Sequence, residues 1–158
     1  MNSLKLALGT LFGIGRLPIA PGTWGSLATL PVVFLIGWSA GIYAITVLII
    51  FSCILSLWCA SAAEEKFGKD PSQFILDELA GQSVVFLMVD FTAPSLQIST
   101  VLLSGFILFR FFDIMKPLGI NDLQKLPGKF GILADDILAG IYALVILELG
   151  TTLILNLS

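Results

Sequence analysis

Histidine is absent from the 158-residue chain, which removes the phosphohistidine and imidazole general-base routes to hydrolysis. Charge is scarce too: 12% of the residues are Asp, Glu, Lys or Arg, and the eight Lys and Arg form no basic run. With a formal net charge of -3, the chain lacks the clustered cations that neutralise a phosphate backbone, so no nucleic-acid partner is expected. The two cysteines, Cys53 and Cys59, lie in an apolar run with no nearby base or cation to form a thiolate, and they read as packing residues. A small-residue cleavage site of the Ala-x-Ala kind is also missing. Lys5 followed by a short apolar core has the outline of a signal peptide, but without that site an interfacial helix over residues 2–12 is the better reading.

What the chain does have is apolar length. Hydrophobic residues make up 57% of it and the mean hydropathy is +1.01, the balance of an all-α, polytopic membrane protein forming a single domain over residues 1–158. The glycines and prolines between Gly13 and Gly22 break the first helix, and an apolar run follows to Ala63. That run is too long for one crossing. Gly37, Ser39 and Gly41 mark a turn, giving helices over 24–37, kinked by Pro31, and 41–63. Asp70-Pro71-Ser72-Gln73 reads as a helix start with Asp70 as N-cap, opening a helix over 71–91. Thr92, Ala93 and Pro94 turn the chain into a fourth span over 95–115. A polar loop over 116–130 precedes a fifth helix over 132–155.

Threading five spans up and down places every Lys and Arg on one side: Lys5, Arg16, Lys66, Lys69, Arg110, Lys116, Lys125 and Lys129. The positive-inside rule makes that side cytoplasmic. The same threading brings Thr23, Ser26, Asp77, Glu78, Asp113, Asp135 and Asp136 to that side, near helix ends, whereas Asp90 and Glu148 fall towards the other. Carboxylates inside an apolar span cost on the order of 2.5 kcal/mol or more each at the bilayer centre, and less towards the interface, so they usually face partners or a wet cleft.

Five carboxylates without histidine or thiolate form a hard, all-oxygen donor set suited to Mg²⁺ or Mn²⁺ and not to Zn²⁺. Asp77, Glu78, Asp113, Asp135 and Asp136 are the candidate metal ligands, and Asp77, Asp113, Asp135 and Asp136 the candidates for catalysis itself. Arg110, Asp113 and Lys116 follow one another at three-residue steps, so each successive pair can meet on one helix face. Arg110 lies more than a turn inside its span, deeper than a helix-end anchor requires, and a guanidinium there suits phosphate. Lys116 is a second phosphate clamp, and Thr23, Ser26 and the free N–H groups of the first span add an anion site. Carboxylate-bound Mg²⁺ with cationic clamps is the equipment of phosphoryl transfer, and at headgroup depth its substrate is a phospholipid.

Four segments together resemble the phosphatidylglycerophosphatase A family. They are Pro21-Gly22-Thr23-Trp24-Gly25-Ser26-Leu27, Asp77-Glu78-Leu79-Ala80-Gly81, Phe109-Arg110-Phe111-Phe112-Asp113-Ile114-Met115-Lys116-Pro117 and Asp135-Asp136-Ile137-Leu138-Ala139-Gly140. The chain departs from the family at Gly119, where a second proline is usual after the Lys-Pro pair. The resemblance implies a Mg²⁺-dependent bacterial inner-membrane enzyme that hydrolyses phosphatidylglycerophosphate to phosphatidylglycerol and inorganic phosphate. Two other classes fit parts of the pattern. A divalent-cation channel or carrier would spread its carboxylates through the membrane depth, and a Mg²⁺-dependent phospholipid phosphotransferase would need an alcohol acceptor.

Overall fold

The computed structural model describes residues 2–92, 95–124, 126 and 128–157; Lys125 and the expected turn at Ala93 and Pro94 lie outside them. Its elements are α1 (Asn2–Gly9), a 3₁₀ turn (Leu11–Arg16), α2 (Pro21–Phe67), α3 (Leu76–Val85), α4 (Ser95–Met115), α5 (Ile120–Leu123) and α6 (Lys129–Leu157), with no strand among the described residues. Three helices are long and apolar enough to cross a membrane: Pro21–Phe67, Gln97–Met115 and Lys129–Leu153. Five separate spanning helices were expected, and three of them, over 24–37, 41–63 and 71–91, appear in another form.

The first difference is in α2, where the expected pair of helices is one 47-residue element. A straight helix of that length would run about 70 Å, over twice the hydrocarbon thickness. Its backbone is helical through Pro31 and breaks instead at Ala40 (φ -149°, ψ 21°) and Gly41 (φ 55°, ψ -137°). The Gly41 conformation is open essentially to glycine alone, so the break falls where the sequence can accommodate it. Both ends of α2 come back to one place. Gly25 abuts Ile75, and Cys59 and Ala63 pack with Phe74, although a straight helix would hold Gly25 and Cys59 about 50 Å apart. α2 is therefore a hairpin of two arms.

The second difference is in the expected helix over 71–91. α3 has ten residues, about 15 Å of rise. Before it, residues 70–75 are held out of the helix by distant partners: the Ile75 N–H donates to the Gly9 carbonyl at 2.9 Å, and Asp70 sits in the left-handed region at φ 49°. Asp70 is thus not the N-cap; that position falls to Ile75, which offers no side-chain cap. After α3 the chain winds on in tighter turns, with Phe86 N–H donating to Ser83 and Leu87 N–H to Val84. These carry it to Phe91, which packs against Gly37 beside the α2 break. The interfacial helix is also shorter than expected. α1 stops at Gly9, because Leu11, Phe12 and Gly13 all have positive φ.

The core lies between α2, α3, α4 and α6 and is apolar: Val33, Ile45, Val85, Phe86, Phe109 and Leu147 are among its buried members. α3 and α6 approach closely through Gly81 and Gly140, where a Cβ on either would strike the other helix's backbone. Outward faces are apolar as well, with Leu35, Val47, Ile54, Ile107 and Leu149 all exposed. Residues of this kind facing outward all round a bundle suit lipid as the surrounding solvent. Cys53 and Cys59 are free thiols within α2, and Cys59 is a buried core residue as expected.

A candidate active site at one end of the bundle

The start of α2, the loop before α3, the start of α3, the end of α4 and the start of α6 meet at one end of the bundle. They enclose a cavity of about 260 Å³ lined by Asp77, Glu78, Arg110, Asp113, Lys116, Asp135 and Asp136. All seven ionisable residues singled out from the sequence are thus brought together, from three helices and the residue following α4. Of the other cations, Lys66 and Lys69 precede the loop that lines the cavity, and Lys129 opens α6 just before Ile132, another lining residue.

Arg110 is the hub. Its Nη1 lies 2.7 Å from Asp113 Oδ2 and 2.9 Å from Glu78 Oε2, with its side chain only 14% exposed. Ser26, wholly buried on α2, donates its hydroxyl to the same Glu78 oxygen at 2.8 Å, and Arg110 Nη1 reaches the Ser26 oxygen at 3.4 Å. Glu78 fits so close to α2 because Gly22 has no side chain, and a Cβ there would collide with its carboxylate. Arg110 Nε is buried without a partner among the described residues. The guanidinium is therefore fixed by carboxylates and a hydroxyl, as a phosphate clamp needs to be.

Lys116 is the second cation. It bonds to Asp135 Oδ2 and lies 3.9 Å from Asp113 Oδ1, so Asp113 stands between the two cations. Burial works against its charged form, but the bond to Asp135 and the charges of Asp135, Asp113 and Asp136 outweigh that and raise its pKa above the ordinary lysine value. Lys116 is thereby a permanent positive charge at neutral pH, suited to binding an anion and poorly suited to giving up a proton.

Asp77 and Asp136 are left over. They are 5% and 4% exposed, and no Lys or Arg among the described residues lies within ion-pair distance of either. Asp77 Oδ1 accepts the Glu78 N–H at 3.0 Å. A buried carboxylate without a counter-charge costs on the order of several kcal/mol, and here two face one cavity. Hard oxygen donors in negative excess fit a divalent cation of the Mg²⁺ kind. Among the described residues no three of these side chains form a ready-made cage.

The remaining expectations are placed differently. Thr23 does not line the cavity; Ala20, Pro21 and Gly22 do. Ser26 lies beneath the cavity and supports Glu78 and Arg110. The structure adds Asp70, Ser72 and Gln124 to the lining, which the sequence did not point to. Their approach depends on contacts between residues far apart in the chain, and no local pattern announces it. Three lining residues other than glycine, Ala20, Asp70 and Lys116, have positive φ, a conformation that costs on the order of 1–3 kcal/mol each and gathers at functional sites.

Fold and site together define an all-helical membrane protein with a buried cluster of carboxylates and cations at one end of its bundle. The comparisons with known proteins narrow this. The chain matches the phosphatidylglycerophosphatase A family over residues 7–151 and belongs to that family. It is 37% identical to phosphatidylglycerophosphatase A of Haemophilus influenzae, over 89% of this chain and 83% of that protein. It is 32% identical to phosphatidylglycerophosphatase A of Escherichia coli, over 90% and 79%. A Bacteroides thetaiotaomicron protein, provisionally named a phosphatidylinositol-3-phosphatase, is 32% identical over 91% of both chains. No solved structure matches the chain significantly.

Proposed function

We propose that the chain hydrolyses the terminal phosphomonoester of phosphatidylglycerophosphate, releasing phosphatidylglycerol and inorganic phosphate, with Mg²⁺ as cofactor. The observation that carries this reading is the division of charge in the cavity. Arg110 and Lys116 are held ready for an anion, while Asp77 and Asp136 have no cation of their own among the described residues. Family membership and the two relatives named phosphatidylglycerophosphatase A supply the lipid.

In this mechanism Arg110 and Lys116 bind the nonbridging phosphate oxygens, and Asp113, between them, keeps both in register. Asp77 and Asp136 would hold the metal, with Glu78, Asp113 and Asp135 as the further candidate ligands, and Mg²⁺ there would supply charge neutralisation to the phosphate. The carboxylates also provide the proton acceptor that hydrolysis by water requires. Ser26 acts through Glu78 and Arg110.

We further read the bundle as crossing the inner membrane five times: the two arms of α2, the segment from α3 to Phe91, α4 and α6. The acidic end faces the cytoplasm, because the Lys and Arg residues gather there. Among the described residues the core cluster between the two ends is apolar, which speaks against a channel.

Purified protein in detergent, given Mg²⁺, should release phosphate from phosphatidylglycerophosphate faster than from phosphatidylinositol 3-phosphate or soluble glycerol 3-phosphate. Preference for the inositol lipid would move the substrate to that named for the Bacteroides relative. A requirement for an added alcohol acceptor would make the protein a phosphotransferase, and no release from any of the three would refute the proposal.

A further inference from the structure

Beside the acidic cavity, two segments remote in sequence are joined by one hydrogen bond. Gln124 Nε2 donates to Asp70 Oδ2 at 2.9 Å, across 54 positions, and both side chains line the cavity. As a stabiliser this contact is poor. It is exposed, so its net worth is small, and Asp70 adopts a left-handed backbone to make it.

Its geometric effect is larger. Gln124 ends a strap, residues 116–124, that starts at the Lys116 clamp. The strap reverses direction through positive φ at Lys116, Leu118 and Gly119. Its middle is pinned twice: the Tyr142 hydroxyl donates to the Leu118 carbonyl at 2.9 Å, and Ile120 is wholly buried in the core. Its far end is tied to the loop before α3 by Asp70. Lys116 therefore sits at one end of a short strap whose other end is closed by the Asp70–Gln124 bond.

We propose that Asp70 and Gln124 are positioning residues. Their bond holds the strap along the cavity wall and so sets the Lys116 ammonium for the phosphomonoester of the substrate. The role in turnover rests on the phosphatase reading above; the mechanical link does not.

Exchanging the two chemistries tests this. Gln124→Ala and Asp70→Ala should each raise KM for the lipid by about two- to tenfold, the range of one lost hydrogen bond, with kcat changed much less. Gln124→Glu, which sets two carboxylates face to face, should do worse than Gln124→Ala. Combining it with Asp70→Asn restores a donor and an acceptor in reversed order and should return KM towards wild type. Amide hydrogen exchange across residues 120–124, measured in detergent without substrate, should quicken in the single Gln124 variants and slow again in the swap. Failure of the swap to recover exchange and KM overturns the proposal. So does loss of kcat in Asp70→Asn with Gln124→Ala normal, because Asp70 would then act on substrate or metal directly. If the wild type releases no phosphate from any lipid, the phosphatase reading falls while the exchange data still decide whether the bond holds the strap.

Discussion

The cavity at the far end of the bundle is the larger of the two, about 540 Å³ against about 260 Å³ at the acidic end. It is walled by the α2 break, Gly37 to Ile42, and by the turns after α3, Leu87 to Thr92. Its one carboxylate, Asp90, is exposed and accepts both the hydroxyl and the N–H of Thr92. Asp90 is thus a satisfied turn residue. The smaller cavity is lined by six carboxylates and two cations, and two of those carboxylates are buried with no counter-charge among the described residues. Size does not set the candidate site apart. Unbalanced buried charge does, because groups so costly to bury cluster at functional sites.

Breaking the charged end at its unpaired carboxylates should have the largest effect. Asp77→Asn or Asp136→Asn should lower turnover by about a thousandfold, the upper end of what losing one electrostatic contributor costs. Either change also removes one of two uncompensated buried charges, so the melting temperature of the metal-free protein in detergent should not fall. A parallel loss of stability and activity would make these aspartates structural. Arg110→Lys comes next, with a loss of about a hundredfold. It keeps the charge and gives up the planar guanidinium, whose Nη1 reaches Glu78, Asp113 and Ser26. Steady-state kinetics with a check of the size-exclusion profile separates this from simple anchoring, for which lysine serves as well.

A packing change should fall between the charged end and the far end. Gly81→Ala places a methyl group against the Asp136 backbone and the Phe109 ring. It should cost about 1–3 kcal/mol of stability, read by thermal unfolding, and reduce turnover through displacement of Asp136. The smallest effect is expected at the far end, where Asp90→Asn should alter turnover by less than about twofold. A large loss there would put chemistry at both ends and undo the contrast.

The sequence made the charged end legible for the reason that makes it costly. Asp77, Glu78, Arg110, Asp113, Asp135 and Asp136 interrupt or border apolar runs, where ionisable groups persist only with a purpose, and the span lengths bring them to one depth. The hairpin of α2 was legible from the excess length of its apolar run, and its turn from Gly41. What lay outside that logic was set by tertiary contacts. Asp70-Pro71 has the local form of a helix start, yet Gly9 and Gln124, far off in sequence, pull the loop away from helical geometry. The run from Val84 to Val89 is continuously apolar and carries no stop signal. There the chain leaves the α-helix where Phe86 packs over Gly105 of α4. Thr23 and Ser26 belong to one polar motif, but helical rotation gives them different surroundings: Ser26 faces the interior, and Thr23 stays off the cavity wall.

The most direct test of the central claim, that the acidic end is a Mg²⁺-dependent lipid phosphatase site, is phosphate release from phosphatidylglycerophosphate by purified wild-type and Asp136→Asn protein across a Mg²⁺ titration. The account predicts that wild-type activity rises from near zero in chelator to saturation, and that Asp136→Asn remains near zero throughout. Full wild-type activity in chelator, or a normal rate for Asp136→Asn, would contradict it.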